Sequence, residues 1–366
     1  MRFNSLDGWL GWMEKNHPQE IELGLGRVGA VAQTMGLQAA AQSIKTVTVA
    51  GTNGKGSCVA VLEGLLLDAA TPVGVYTSPH FLHYRERIRV AGRPVTDAEI
   101  CTAFECIDRA RGDTSLTYFE FGTLAALEIF RSRGVAVQVL EVGLGGRLDA
   151  VNIIDADVSV VTSIDIDHVD WLGDDRDIIG REKAGIFRPH RPAICADSSA
   201  PLTVEQVAGE QAAQFLQVGR DWHYQVEGVH WCFEAAGDKP QSLTQLPLPS
   251  LPLASVAAAL QAFLSLGGSL TAETLARLLP IMSLPGRFQR VTVRGRRVIL
   301  DVAHNPAAAS YLAQRLKVEK PEALSGGAHT RAVLAMMADK DRGACLAALA
   351  DQAWLAVVKD RIAQAR

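Results

Sequence analysis

The chain has no apolar run long enough to cross a bilayer, no paired-cysteine motif and little imbalance of charge, and each lack excludes something. A transmembrane helix needs about 18 to 20 consecutive apolar residues. The N-terminal stretch MRFNSLDGWLGWMEKN interrupts its apolar positions with Asp7 and Glu14, so it reads as an amphipathic helix and not as a signal peptide. The six cysteines (Cys58, Cys101, Cys106, Cys195, Cys232 and Cys345) form no CxxC pair and no zinc-type spacing. That pattern predicts buried free thiols in a reducing compartment, hence a cytoplasmic protein. A formal net charge of -4 with no dense run of Lys and Arg gives no general field for nucleic acid or for an anionic membrane. A small anionic ligand is still compatible, because one site can be positive on an acidic protein.

What is there is ordinary soluble composition: 366 residues, 48% hydrophobic and 21% charged, enough for a large core and two domains. Short β-branched runs at Thr46–Ala50, Val73–Tyr76, Val135–Val142, Val158–Ile164, Arg297–Val302 and Ala332–Met336 alternate with helical stretches such as CVAVLEGLLLDAA and FGTLAALEIFRSRG. Most of these runs are too uniformly apolar to have a wet face. The pattern predicts an α/β fold with parallel sheets. Between Gln241 and Gly286, LPLPSLPLAS and SLPGRFQ interrupt the rhythm, predicting domains at 1–285 and 286–366.

The segment VAGTNGKGS (Val49 to Ser57) ends a strand candidate in a glycine turn and runs into a helix candidate. Such a turn points several backbone N–H groups at one spot, and the helix dipole adds to the pull on an anion. Gly51, Gly54 and Gly56 permit close approach of a phosphate, Lys55 supplies a point charge, and the Ser57 hydroxyl can reach a phosphate or its magnesium. The loop is a compressed form of GxxxxGK[ST], with a glycine between Lys55 and Ser57. A plain glycine-rich βα turn is the alternative.

A second cluster, EVGLGGRLDA at Glu141–Ala150, offers Gly143 and Gly145 but has Leu148 where a dinucleotide fingerprint needs its third glycine. Its company is more telling. Glu141 ends one apolar run, and SIDIDHVDWLG brings Asp165, Asp167, His168 and Asp170 to the end of the next. In a parallel sheet the strand C-termini share one edge, where ligands sit. Oxygen ligands with one imidazole suit magnesium or manganese on phosphates better than structural zinc.

Eight segments, in order VAGTNGKGS, GVYTSPHFLHYRERIRV, LTYFEFGTLAALEIF, LEVGLGGRLDAVNI, TSIDIDHVDWLG, REKAGIF, LPGRFQ and DVAHNP, resemble the motif series of the bifunctional folylpolyglutamate synthase/dihydrofolate synthase family of the ATP-dependent Mur ligase superfamily. The resemblance runs from about residue 5 to about residue 345. It implies a P-loop-type parallel-sheet domain, like the Mur ligase central domain, followed by a smaller Rossmann-like α/β domain. It also implies an amide ligase: ATP phosphorylates a carboxylate, the amine of L-glutamate attacks the acyl phosphate, and ADP and phosphate leave. The acceptors implied are dihydropteroate (dihydrofolate synthase) and the tails of reduced folates (folylpolyglutamate synthase). Folate biosynthesis and one-carbon metabolism would be the setting, with a monomeric enzyme that binds neither nucleic acid nor membrane.

Carried over by motif, Gly54, Lys55, Gly56 and Ser57 form the phosphate loop. Ser78, Glu141 and His168 match magnesium ligands. Lys183 matches a lysine that becomes carbamylated and binds a second metal; by itself it would be read as solvent-exposed. Arg287 would reach ATP phosphates, and Asp301 and His304 would close on the nucleotide. Lys55, Lys183 and His304 are the catalytic candidates. Phe119 matches the ring that stacks on the pterin, with Thr117 beside it and Asp149 facing the pterin's donors, although the stripe YFEFGTLAALEIF equally suits a core helix. His80, Arg85 and Arg87 lie in a segment resembling the family's mobile loop and offer cationic groups.

Two departures stand out. Ser255 occupies the place of a family asparagine that helps to hold adenine. Past the DKD step at Asp339 to Asp341 the tail WLAVVKDRIAQAR matches no family motif, so a C-terminal domain short of part of its sheet is expected. Two rivals are a nucleotide-binding member without catalysis, and a muramyl-peptide ligase. The latter needs a nucleotide-sugar domain ahead of the loop, where 48 residues precede Val49.

Overall fold

Lys45–Ala50 (β1), the strand that enters the glycine turn, lies inside an eight-stranded sheet. The computed structural model describes residues 2–17, 19, 21–237, 240–318, 331–337, 340–350 and 355–358. The other strands of this sheet are Val73–Tyr76 (β2), Ile88–Val90 (β3), Arg93–Pro94 (β4), Val137–Glu141 (β5), Val158–Val161 (β6), Pro192–Cys195 (β7) and Gln214–Gln217 (β8), in the order β4-β3-β2-β5-β1-β6-β7-β8. From β2 to β8 the pairing is parallel, while β3 and β4 add an antiparallel edge. Parallel pairing follows from sequence: β1, β2, β5 and β6 are buried almost throughout, as strands covered on both faces must be. Register pairs Val49 with Glu141 and Ala50 with Val161, so the ends of β1, β5 and β6 come level. The chain segments beyond these ends emerge at one edge.

The helix Lys55–Asp68 is buried nearly all round, because it is covered by the sheet on one side and by the helix Leu253–Ser265 on the other. The helices Asp97–Arg111 and Tyr118–Ser132 each begin with a capping box, Thr96 with Glu99 and Thr117 with Glu120, worth about 1 kcal/mol apiece. The N-terminal amphipathic pattern becomes the helix Leu6–Asn16, which seats Trp9 and Met13 against these two. A small antiparallel sheet of His223–Glu227 (β9), His230–Glu234 (β10) and Ser242–Pro247 (β11) buries Trp231 and Phe233 and leaves its other face wet. Gln261 fastens it to Leu253–Ser265 through both the N–H and the carbonyl of Ala236, at 3.0 Å each.

The chain divides into two units, Met1–Ile164 with Asp175–Met282, and Asp165–Asp174 with Ser283–Arg366. The second contains the hairpin Gln289–Val293 (β12) and Arg296–Leu300 (β13), and the parallel pair Arg331–Leu334 (β14) and Leu355–Val358 (β15). Its helices Pro306–Val318 and Arg342–Ala350 meet through Ala309, Ala313, Cys345 and Leu349. Composition assigned 165–174 to the first domain; the structure packs it with the second, for reasons that lie in Asp167. Asp339 and the tail beyond Val358 lie outside the described residues. All six cysteines are free; Cys58, Cys101, Cys195 and Cys345 are buried as expected, whereas Cys106 and Cys232 are half-buried.

Candidate active site

The glycine turn is shaped by close approach. Gly51 has φ +144°, and a Cβ there would stand 1.9 Å from Thr162 Oγ1 and 3.0 to 3.1 Å from the backbone nitrogens of Thr162 and Ser163. Those two residues, just past β6, hold the loop. Thr162 Oγ1 donates to the Asn53 carbonyl at 2.7 Å, Thr52 N donates to the Ser163 carbonyl at 2.7 Å, and Asn53 N donates to Ser163 Oγ at 2.9 Å. Gly54, at φ 88°, starts the helix, and a Cβ on it would lie 2.3 Å from Ser255 Oγ. Ser255 therefore abuts the loop.

No side chain caps Lys55–Asp68, so its first N–H groups face outward as donors. Lys55 Nζ donates to the carbonyls of Gly51 at 2.7 Å and Thr52 at 3.3 Å. Ser57 is buried, and among the described residues its hydroxyl has no hydrogen-bond partner. An uncapped helix start, a lysine and an orphaned hydroxyl fit a phosphate chain with its divalent cation. Beside them, Glu141 is 5% exposed at the end of β5 and accepts a hydrogen bond from Ser78 N at 3.2 Å. Its charge reaches Cys58, whose thiol is pushed up by burial and further by that carboxylate.

Among the described residues no three His, Cys, Asp or Glu side chains gather as a metal cluster. Serine hydroxyls, phosphate oxygens and water are ligands that magnesium accepts beside a carboxylate such as Glu141. His168 and its neighbours belong to the second unit. There Asp167 accepts from Lys340 Nζ at 2.7 Å and Asn305 Nδ2 at 3.3 Å, and His304 Nε2 stands 3.4 Å from it. Burial opposes its ionisation, but the hydrogen bonds from His304 and Lys340 and the nearby charges outweigh it and hold the carboxyl well below its usual range. Asp167, grouped by sequence with the oxygen ligands, is thus engaged inside its own unit.

Lys183 corrects a sequence expectation: it is 5% exposed, not solvated. It lies on the helix Arg176–Ala184 with Ile179, Gly180 and Ala184 on the buried side. Gly146 permits this, since a Cβ on it would come within 2.8 to 3.1 Å of the Glu182 and Lys183 backbone.

Phe119 and Asp149 come together around the second glycine turn, and Thr117 caps the helix that carries Phe119. A Cβ on Gly143 would meet Phe119 Cζ at 2.8 Å and Asp149 Oδ2 at 3.4 Å. Thr117 Oγ1 accepts from Glu120 N as the helix cap. Asp149 accepts from Gly143 N and Leu144 N at 2.9 Å and from Val151 N at 3.0 Å; burial nevertheless raises its pKa to about 6. Both side chains have structural work that the sequence reading did not assign, though the Thr-x-x-Glu capping signal was in view. In the neighbouring loop, Arg87 Nε donates to His80 Nδ1 at 2.8 Å and its guanidinium lies over the rings of Tyr84 and Tyr118.

In the second unit, Asp301 accepts from Phe288 N and Ala303 N at 2.8 Å each, fixing the turn after Arg287. His304 Nδ1 lies 2.8 Å from the Val302 carbonyl, and Asn305 caps Pro306–Val318 by accepting from Ala308 N at 3.0 Å. Sequence reasoning passed over Asn305, although Asn-Pro ahead of a helix is a cap signal. It also passed over Thr162 and Ser163.

A glycine loop at the C-terminal edge of a parallel sheet, opening an uncapped helix beside a buried carboxylate, defines a phosphate-handling α/β enzyme, and residues 286–365 match the family model "Mur ligase, glutamate ligase domain". Dihydrofolate synthase/folylpolyglutamate synthase of Escherichia coli (strain K12) is 46% identical over 355 residues, which cover 97% of this chain and 80% of that protein. The E. coli enzyme in complex with DHPP and ADP superposes with TM-score 0.89 at 44% identity, over 96% of this chain and 83% of that one. A bifunctional enzyme of the same name with Mn, AMPPNP and L-glutamate bound gives TM-score 0.87 at 45% identity, over 97% and 84%. The class is that of the ATP-dependent, ADP-forming Mur-type ligases. Within it, the chain belongs to the dihydrofolate synthase/folylpolyglutamate synthase family.

Proposed function

We propose that this chain joins L-glutamate to dihydropteroate, and to the glutamate tails of reduced folates, by forming an acyl phosphate at the expense of ATP. The chemistry needs that intermediate, because an amine cannot displace oxide from a carboxylate whereas phosphate is a workable leaving group. The observation that carries the reading is the Gly51–Ser57 turn, with its lysine and its buried, unpartnered serine hydroxyl beside Glu141. Relatives bound to DHPP and ADP, and to AMPPNP with L-glutamate, support it.

In the first unit, the N–H groups of Gly54, Gly56 and Ser57 receive the triphosphate, and Lys55 exchanges its loop carbonyls for phosphate oxygens. Phe119 stacks on the pterin with Thr117 beside it, while Asp149 keeps the surrounding turn in shape and faces the heterocycle's donors. In that unit Ser57, Ser78 and Glu141 would hold magnesium, and a carbamylated Lys183 would serve a second ion; His168, the remaining ligand candidate, belongs to the second unit. Magnesium, when bound, neutralises charge on the phosphoryl oxygens. Within the second unit, Arg287 and Asp301 are the nucleotide-binding candidates and His304 the catalytic one. The enzyme works as a cytoplasmic monomer with no nucleic-acid or membrane partner; among the described residues no helix is long and apolar enough to cross a membrane.

ADP release measured with dihydropteroate or L-glutamate omitted in turn tests this. Turnover is expected only with both present. ATP binding without turnover on dihydropteroate or tetrahydrofolate would contradict it.

A further inference from the structure

Beside Phe119 lies a group of buried hydroxyls that none of these roles uses. The phenol oxygens of Tyr76 and Tyr84 and the hydroxyl of Thr123 are buried, and among the described residues none of the three makes a hydrogen bond of good geometry, although Thr123 and Arg87 approach the Tyr76 phenol. The two phenol oxygens lie 2.6 and 2.7 Å from the point where a Cβ would stand on Gly122. Thr123 is the next residue of that helix, and Tyr76 feels it: burial pushes the Tyr76 phenol up to about 12, with Arg87 and the Thr123 hydroxyl acting in the opposite direction. Burial, reinforced by Tyr76, likewise holds the Tyr84 phenol well above its ordinary value. All three hydroxyls therefore keep their protons, and each needs an acceptor or a donor.

Buried hydroxyls without partners are destabilising, and native interiors rarely keep them. Three converging on one spot form the kind of site that a single water satisfies, because water can donate twice and accept twice. A water bridging two oxygens tolerates a separation of up to about 5.5 Å between them, a span the two phenols satisfy through their common neighbour Gly122. Only glycine keeps that helix face open.

We propose that Tyr76, Tyr84 and Thr123 bind one internal water, and that this water makes Tyr76 a positioning residue for Phe119. The ring of Tyr76 lies 5.8 Å from that of Phe119, and the ring of Tyr84 meets Tyr118 edge-on at 5.5 Å. Tyr118 and Phe119 open the helix Tyr118–Ser132, so the two phenols brace its first turn from β2 and from the turn at Tyr84–Arg87. With the water in place neither phenol can swing without breaking a buried hydrogen bond. The positioning half of the proposal rests on the reading of Phe119 as the pterin-stacking face.

The test is a double-mutant cycle with Tyr76→Phe, Tyr84→Phe and the pair, in the full chain, read by denaturant unfolding and by KM for dihydropteroate. Each single change is expected to lower the folding constant about five- to tenfold, and the pair by clearly less than the product, since both remove bonds to the same water. A crystal structure should show one peak within hydrogen-bond reach of all three hydroxyls. Single changes that are neutral or stabilising and that multiply independently, or a crystal structure without that peak, overturn the water site. Tyr76→Phe should raise KM for dihydropteroate about threefold or more while leaving KM for ATP unchanged. Phe119→Leu separates the two readings. If it raises KM for dihydropteroate and Tyr76→Phe does not, the positioning role is overturned. If it leaves that KM unchanged, the stacking role of Phe119 falls and takes the positioning role with it, while the unfolding cycle decides the water site by itself.

Discussion

Two glycine turns leave neighbouring strands of one sheet, the first after β1 and the second after β5, and by composition they look alike. In both, a Cβ would strike protein atoms: Thr162 and Ser255 around Gly51 and Gly54, Phe119 and the Glu182–Lys183 backbone around Gly143 and Gly146. Glycine content therefore does not distinguish a ligand cradle from a tightly packed turn. The difference lies in where each turn's N–H groups are spent. The first turn runs into an uncapped helix with Lys55 and an unpartnered Ser57 hydroxyl, whereas the second has its N–H groups taken up by Asp149. Beyond Thr52 N and Asn53 N, which Ser163 takes up, the first turn ends on a helix start that no side chain caps, whereas the second turn's N–H groups go to Asp149 beside Phe119.

The sharpest separation should come from Lys55→Ala, expected to lower kcat/KM for ADP formation by about 10³-fold in steady-state assays while leaving the unfolding midpoint almost unchanged. A comparable loss of stability would show that Lys55 acts mainly as a clamp on its own loop. Gly51→Ala combines a positive φ with a collision against Thr162 and should cost about 4 kcal/mol of folding free energy, against about 2 kcal/mol for Gly143→Ala, where the Phe119 ring can give way. Equal costs in urea unfolding would erase the contrast.

The second turn carries its own pH signature. Burial raises Asp149 to about 6 from an ordinary 3.8, so the folded state favours the neutral acid. Its contribution to stability is fully present below about pH 4, fades as pH rises through about 6, and amounts to about 3 kcal/mol. Asp149→Asn should flatten that part of the stability profile between about pH 4 and about pH 6. The smallest effect is expected at Ser255: Ser255→Ala should move stability by less than about 0.5 kcal/mol, since it removes one hydroxyl facing a glycine. A large rise in KM for ATP would instead assign Ser255 to the nucleotide.

How far the sequence revealed this can be judged strand by strand. β1, β2 and β6 were legible because uniformly apolar β-branched runs admit little else. β3 and β4, in RIRVAGRP, were not, because strands at the margin of a sheet alternate arginines with apolar residues and break the uniform run. β9 and β10 were missed for the same reason: one wet face breaks the apolar run. In the site, the Lys55 loop could be read locally, since strand, turn and helix are contiguous. The allegiance of Asp165–Asp174 could not, because it is set by Asp167 meeting His304, Asn305 and Lys340, which lie far along the chain. Nor could the burial of Lys183, which depends on the missing side chain of Gly146.

The central claim is that ATP activates a carboxylic acid before the amine arrives. Dihydropteroate carrying ¹⁸O in its carboxylate, turned over with ATP and L-glutamate and followed by mass spectrometry of the phosphate released, tests it most directly. The account predicts one labelled oxygen in each phosphate formed. Unlabelled phosphate, produced at the rate of dihydrofolate formation, would contradict it.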